Sequence, residues 1–176
     1  MVSAAPEKDL MYYIEGKHFD WVDDKNSIIT TNLSSLLWGE FNVHYEMKQG
    51  KGNGLGFGLG VYWWSYGYWD TFGISVAGEY NWYFQEHALN GWYAGPRVEV
   101  GFSSSNYSYT WMGYNESDSS TSIFAGIGGQ AGYRWIWKNG LTVDTRIGPM
   151  IRLGGDSAVG FSTLGWNAGS SIGYAF

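Results

Sequence analysis

The sequence predicts an all-β fold, an eight-stranded antiparallel up-and-down transmembrane β-barrel with a short polar N-terminal segment. Three observations carry this. Among 176 residues there are 27 Gly and 11 Trp, aromatics reach 19% and charged residues only 15%, a composition unlike that of a water-facing helical domain. No apolar run approaches the roughly 18–20 residues that a membrane-spanning helix needs. From about residue 27 onward, short segments alternate in character every second residue and are separated by clusters of Gly, Asn, Asp and Ser, the pattern of antiparallel strands. The length suits one folding unit, divided into an N-terminal segment at 1–26 and a barrel at 27–176. The mean hydropathy of −0.24 is compatible with insertion, because barrel strands offer lipid only alternate residues.

Eight strands are expected. The first, near Ser27 to Leu37, sets Ile29, Leu33 and Leu37 against Thr30, Asn32 and Ser34. The second sets Phe41, Val43, Tyr45 and Met47 against Asn42, His44, Glu46 and Lys48, and Gln49 to Gly54 turns the chain. The third places Leu55, Phe57, Leu59, Val61 and Trp63 opposite Gly56, Gly58, Gly60 and Tyr62. In the fourth, Phe72, Ile74, Val76, Tyr80 and Trp82 oppose Gly73, Ser75, Ala77, Glu79 and Tyr83. The fifth opposes Trp92, Val98, Val100 and Phe102 to Tyr93, Arg97, Glu99 and Gly101. Ser103 to Ser122 is the one long polar stretch and predicts an extended surface loop. The sixth strand follows with Ile123, Ile127, Tyr133, Trp135 and Trp137 against Gly126, Gln130 and Arg134, and Lys138-Asn139-Gly140 supplies a hairpin turn. The seventh opposes Leu141, Val143, Ile147 and Ile151 to Thr142, Asp144, Arg146 and Arg152. The last opposes Leu164, Trp166, Ile172, Tyr174 and Phe176 to Asn167, Gly169, Ser171 and Gly173.

Size decides which face is inside. An eight-stranded barrel has an interior only just wide enough for side chains, and the apolar face carries Trp or Tyr on most strands. Those rings fit around the barrel, so the face of Gly, Ser and Ala with a few long charged residues must line the lumen. Its charges nearly pair, Glu46, Glu79, Glu99 and Asp144 against Lys48, Arg97, Arg134, Arg146 and Arg152, as buried charges require. The expectation is an internal salt-bridge network that plugs the barrel. Aromatics gather toward strand ends, with Trp63, Trp82, Trp92, Trp135, Trp137, Trp166, Tyr174 and Phe176 expected at the lipid interfaces.

The net charge of −6 argues against nucleic acid as a partner, and the absence of Cys removes disulfides, thiol nucleophiles and thiolate metal sites. The start Met1-Val-Ser-Ala-Ala-Pro lacks the basic and apolar regions of a secretory signal, so an exported protein would be represented by its mature chain behind an added Met. No catalytic, metal or cofactor site is expected. His44 beside Glu46 reads as a hydrogen-bonded member of the interior network more readily than as an acid–base group. His18-Phe-Asp20 offers two metal ligands, which do not make a site, and His87 beside Glu86 reads as a solvated turn residue. Gly126-Ile-Gly-Gly-Gln-Ala131 mimics a dinucleotide fingerprint but lies within a strand pattern and opens no helix. Tyr107, Tyr109, Trp111 and Tyr114 in the long polar stretch could form a recognition surface, although simple solvation also accounts for such a stretch.

The closing segment Gly169-Ser-Ser-Ile-Gly-Tyr-Ala-Phe176, with its terminal Phe, resembles the C-terminal signal of outer-membrane barrels. Together with Asn32-Leu-Ser-Ser-Leu-Leu-Trp-Gly39, the Gly-rich third strand, Gly132-Tyr-Arg-Trp and Lys138-Asn-Gly-Leu-Thr142, it makes residues 27 to 176 resemble small eight-stranded outer-membrane barrel proteins of uncharacterised function. The resemblance implies a bacterial outer-membrane location, periplasmic termini, short periplasmic turns at 49–54, 86–91 and 138–140, longer outer loops, and engagement of the barrel-assembly machinery through the last strand. The short connection at Trp38-Gly39-Glu40 departs from the long first outer loop of adhesin-type barrels. Outer-membrane lipid is the main expected partner, and the barrel is expected to be a monomer. A non-enzymatic structural or surface-interaction role is the leading reading. Three alternatives stay open: a lipid-modifying enzyme with a catalytic set near the outer rim, a transporter of small apolar solutes, and a soluble lipocalin-type barrel with the faces inverted.

Overall fold

The computed structural model describes residues 20–37, 39–85, 87–111, 114–154 and 163–176; His18, Trp38 and Glu86 lie outside these residues. After a single helical turn, α1 (Asp20–Asp23), the strands run β1 (Ser27–Asn32), β2 (Glu40–Gln49), β3 (Asn53–Tyr66), β4 (Trp69–Tyr83), β5 (Gly91–Trp111), β6 (Tyr114–Ile136), β7 (Leu141–Gly154) and β8 (Thr163–Ala175). A short helix, α2 (Leu33–Leu36), joins β1 to β2. Every strand pairs antiparallel with its sequence neighbour, and β1 pairs with β8 from Ile28↔Ala175 to Asn32↔Ser171, so the sheet closes. The ring is complete toward the termini, where β1 pairs with both neighbours; beyond Asn32, β2 and β8 run on at 40–43 and 163–170 with no β1 residues between them, and α2 lies at this gap.

The registers are continuous. Ladder bonds lapse beside Pro96, between Glu79↔Arg97 and Trp82↔Ala94, and beside Pro149, between Gly128↔Met150 and Ala131↔Ile147. Pairing resumes in the same register each time, because proline removes one donor without inserting a residue. At the β1–β8 seam, a Cβ on Gly173 would collide with the carbonyl oxygen of Ile29. Only glycine lets the closing strands approach this far.

Two expected elements differ. The first strand ends at Asn32 instead of continuing to Leu37. The Asn32 side-chain oxygen accepts hydrogen bonds from the Ser34 and Ser35 amides at 2.9 and 3.2 Å, a helix cap that turns the chain out of the sheet. Leu33 and Leu37 therefore sit on a rim helix and just beyond it, exposed. The polar stretch at 103–122 is also not a loop. β5 and β6 continue in barrel register through Ser103↔Ser122 to Trp111↔Tyr114, and β4 joins them up to Trp69↔Tyr107. Hydroxyl pairs hold the ribbon across strands, Ser103 with Ser122 at 2.9 Å and Thr71 with Ser105 at 3.1 Å. Serine-rich composition suggested a loop, but such cross-strand pairs stabilise a ladder as apolar ones do.

Both ends of the barrel chain lie at one mouth. The Asn26 and Ser27 amides each donate to the Phe176 carbonyl at 2.9 Å, and the Ala175 amide donates to Gly140 at 2.8 Å. The β2–β3, β4–β5 and β6–β7 connections share this mouth, and the β1–β2 and β3–β4 connections lie at the other, as the up-and-down order dictates. The turn at Lys138-Asn139-Gly140 has Gly140 at φ 88° and the Asn139 side chain accepting from the Leu141 amide at 3.1 Å, the conformation for which Asn-Gly is suited.

A charged lumen as the candidate functional site

Strand alternation sends His44 and Glu46 on β2, Glu79, Asn81 and Tyr83 on β4, Tyr93, Arg97 and Glu99 on β5, Gln130 and Arg134 on β6, and Asp144, Arg146 and Arg152 on β7 to the inner face. The glycines of β3 leave room for them. The long side chains fill the interior in layers.

Nearest the termini, Val22 of α1 packs with Ile28, Ala88, Leu89, Ile136 and Ala175, all buried. Leu89 is held at φ 76° in this cluster, a backbone region a branched side chain enters only when its surroundings enforce it. Asp23 sits beside the cluster, with its Oδ1 3.2 Å from His87 Nδ1 and 3.5 Å from Lys48 Nζ. Partial burial pushes its carboxyl up, but the hydrogen bond and charge of His87, then Lys48, outweigh this and hold it below its ordinary value. A depressed carboxyl stabilises the folded arrangement above its ordinary titration range, and that contribution fades as the pH falls through the lowered value. Acidification should accordingly loosen α1 at the mouth, visible as a shift of the Val22 methyl NMR signals, and Asp23→Asn should abolish that dependence. Lys48, expected in the interior network, belongs here instead. It lies close enough to the mouth for its flexible stem to carry the ammonium out to Asp23, whose backbone carbonyl it also meets at 3.1 Å.

The next layer centres on Arg134, of which 1% is exposed. Its Nη1 lies 2.8 Å from Glu46 Oε2 and its Nε 2.8 Å from Asp144 Oδ2. Nη1 also donates to the Tyr83 hydroxyl at 2.6 Å, which in turn donates to Glu46 Oε1 at 2.7 Å. Tyr93 donates to Asp144 Oδ2 at 3.0 Å. The guanidinium carbon lies 5.8 and 5.2 Å from the Tyr83 and Tyr93 ring centroids, within range of cation–π attraction. One cation thus satisfies two carboxylates, while the tyrosines supply the remaining donors.

Above it, the Glu79 carboxylate collects Arg97, Arg146 Nη1 at 3.1 Å, His44 Nε2 at 2.9 Å and Gln130 Nε2 at 2.8 Å. Gln130 Nε2 is also 2.8 Å from Asn81 Oδ1. Arg97 reaches Glu99 at 3.2 Å, and Arg152 reaches the same carboxylate at 3.6 Å from a half-exposed position. Arg146 Nε at 4.0 Å from Asp144 joins the two layers. His44 therefore faces a carboxylate already held by two arginines, an arrangement suited to fixing charge in place. Beyond this layer, toward the mouth opposite the termini, the lumen widens into a cavity of ≈ 740 Å³ whose lining includes Glu40, Asn42, Tyr62, Arg152 and Asn167.

Eight of the nine charged residues expected in the interior are thus brought together, and Lys48 is not. Tyr83, Tyr93, Gln130 and Asn81 join them without having been singled out. The available signal is that Tyr83 and Tyr93 share the parity of Glu79 and Arg97 on neighbouring strands, on the face that carries the charges. Outside, the expected interface aromatics are exposed, from 42% for Trp135 to 73% for Trp166. Trp92, Tyr133 and Trp135 pack ring to ring at centroid distances of 5.1 Å, edge to face, and 4.5 Å, tilted, near the termini mouth, while Trp63 and the Phe72–Phe102 pair, at 6.2 Å, mark the opposite end of the wall. Leu59, Val76, Val98, Val100, Ile127 and Ile147 occupy the band between.

No protein-family model matches the chain, and no curated protein matches it in sequence. Among solved structures it is similar to the crystal structure of Ail, the attachment invasion locus protein of Yersinia pestis, with 15% identity over 86% of this chain and 99% of that one and a TM-score of 0.54. It is also similar to the N-terminal β-barrel domain of Pseudomonas aeruginosa OprF, with 16% identity over 86% and 98% of the two chains and a TM-score of 0.43. The fold of this chain is that of the small eight-stranded outer-membrane β-barrels.

Proposed function

We propose that the chain resides as a monomer in a bacterial outer membrane, with both termini and residues 1–26 in the periplasm, and serves a non-enzymatic structural or surface-interaction role. The observation that carries this reading is the polarity of the wall: aliphatic side chains between two groups of aromatics outside, and ion pairs inside. A water-soluble barrel has no use for that outward band, which matches the apolar belt and girdles of a lipid-facing surface. The shared mouth of the termini and the short turns fits a periplasmic assignment, and β8 with its terminal Phe176 suits recognition by the barrel-assembly machinery. Outer-membrane lipid is the main partner, and the acidic chain has no role with nucleic acid.

The interior, in this reading, is closed to solutes by its own side chains. The Val22–Leu89 cluster and the Arg134 and Glu79 layers lie across the termini half of the lumen. The surface-interaction component rests on the ribbon of β3 to β6 beyond the wall, where the Trp69 and Tyr107 rings meet tilted at 4.7 Å and Tyr68 and Tyr109 meet edge to face at 4.9 Å. Rigid aromatics beside hydroxyls favour recognition at low entropic cost.

The deciding experiment is refolding with and without detergent, followed by gel migration before and after boiling and by planar-bilayer conductance. An amphiphile-dependent monomer that shifts on boiling and gives no sustained conductance is the expected result. A monomer soluble without amphiphile would reverse the assignment of the faces, and a steady open channel would overturn the plug.

A further inference from the structure

On β3 to β6 the outward face changes character from one cross-strand row to the next. Val61, Ile74, Phe102 and Ile123 form one row and are all apolar. The next outward row toward the mouth opposite the termini is Trp63, Phe72, Ser104 and Thr121, and the one after it is Ser65, Asp70, Asn106 and Ser119. These polar groups are not spent inside the chain. The side chains of Ser65, Asp70, Ser104 and Asn106 make no hydrogen bond among the described residues, whereas on the inward face of the same ribbon Thr71 pairs with Ser105 at 3.1 Å and Ser103 with Ser122 at 2.9 Å. They are also reachable: Ser65, Asp70 and Asn106 are exposed, as are Trp63 at 51% and Phe72 at 45%. Together they line a shallow groove of ≈ 390 Å³. No Lys or Arg occurs between Lys51 and Arg97 or between Arg97 and Arg134, and Asp70 is the one charge on the two rows.

We propose that this strip binds the uncharged sugar headgroup of a glycolipid in the leaflet around the barrel, with the sugar ring on Trp63 and its hydroxyls on Asp70 and Asn106. Height and face select a lipid-borne sugar. The strip continues the wall that meets acyl chains, and Ser65 stands roughly 10 Å above Val61 at the usual strand rise and tilt, within the headgroup layer. An exposed ring at that level suits the C–H face of a pyranose, an apolar plane edged by hydroxyls. A carboxylate accepts from two neighbouring hydroxyls, and an amide both donates and accepts. Rigid rings beside small polar groups also order few rotors on binding. Charge disfavours other headgroups. A phosphate would meet Asp70 with no cation to offset it, and choline brings its own phosphate to the same acid while leaving the Ser and Asn groups unpartnered. The site rests on the lipid-facing reading of the wall above, and it gives the surface-interaction role a partner of stated chemistry.

The test places the full chain in phosphatidylcholine nanodiscs and adds glucosyl diacylglycerol or phosphatidylglycerol in rising mole fraction, read by NMR on the Trp63 indole N–H and the Asn106 side-chain amide. The glucosyl lipid should shift both signals saturably, and phosphatidylglycerol neither. Trp63→Leu keeps an exposed apolar side chain, so the barrel folds, and it should weaken the Asn106 response about tenfold. Asp70→Asn should weaken it several-fold, and Ser105→Ala, on the opposite face of the ribbon, should leave it unchanged. Equal shifts with phosphatidylglycerol, a glucosyl response untouched by Trp63→Leu and Asp70→Asn, or no saturable response would each overturn the proposal. Acyl-chain contacts to the Val100 and Ile123 methyls are read in the same sample. Their absence overturns the lipid-facing reading and the site with it, whereas their presence without a glucosyl response overturns the site alone.

Discussion

Replacing Arg134 with methionine is expected to destabilise the folded barrel by about 3–5 kcal/mol, the typical cost of removing one partner of a buried ion pair. Methionine approximates the length of the side chain, so lost packing is a minor part. The loss comes from what remains: Glu46 and Asp144 are buried with their shared cation gone, and the Tyr83 hydroxyl loses its 2.6 Å donor. Urea unfolding in lipid vesicles, followed by gel mobility, measures the change. Restoring neutrality should recover part of it, so the triple variant Arg134→Met, Glu46→Gln, Asp144→Asn is expected to be more stable than Arg134→Met alone. Arg134→Lys should fall between wild type and Arg134→Met, because an ammonium keeps the charge but cannot hold both carboxylates and the hydroxyl in one plane. If Arg134→Met unfolds at the wild-type urea concentration, the layer is solvated and the ion pairs contribute little.

How far the sequence foretells this lumen follows from what alternation encodes. Period two fixes the face of a residue and nothing more. Glu46, Glu79, Arg134 and Asp144 were therefore identifiable as inward-facing from their strands, and the aromatic bulk opposite them told inside from outside. Depth along the lumen is a different quantity, set by strand stagger around the ring. That is why Lys48 was grouped with Arg134 although it reaches Asp23 at the mouth, and why the partition into an Arg134 layer and a Glu79 layer had no sequence signature. Local chemistry overrode pattern at Asn32, whose cap on Ser34 and Ser35 ends β1. At 103–122 pattern overrides composition. The period-two placing of Tyr107 and Tyr109 fits a strand where serine by composition favours a loop, and the cross-strand pairing that holds a polar ladder joins residues from 3 to 19 positions apart.

The band of the outer wall is the second place where one substitution should have a large effect, and it tests whether that band meets lipid or water. Val98 pairs with Gly78 on one side and Ile127 on the other, and Ile127 pairs with Ile151. All three apolar side chains point outward at mid-wall, flanked by aromatics toward either end. Val98→Arg should destabilise the barrel in vesicles by about 2–4 kcal/mol, the range for a cation at the bilayer midplane of a β-barrel. Ser104→Arg, six residues nearer the mouth opposite the termini and on the same outward parity of β5, should cost about 1 kcal/mol or less, because the penalty decays toward the interface. The depth dependence carries the information. The same wall standing in water would present Val98 to solvent, where arginine is harmless, and both substitutions would then be neutral in urea unfolding. A large loss at both positions would instead extend the lipid-facing band up to the ribbon, which would place the hydroxyl ladder of β5 and β6 against acyl chains. A steep loss at Val98 with little at Ser104 puts the water boundary between them, where the outward side chains of β5 change from Val98, Val100 and Phe102 to Ser104 and Asn106.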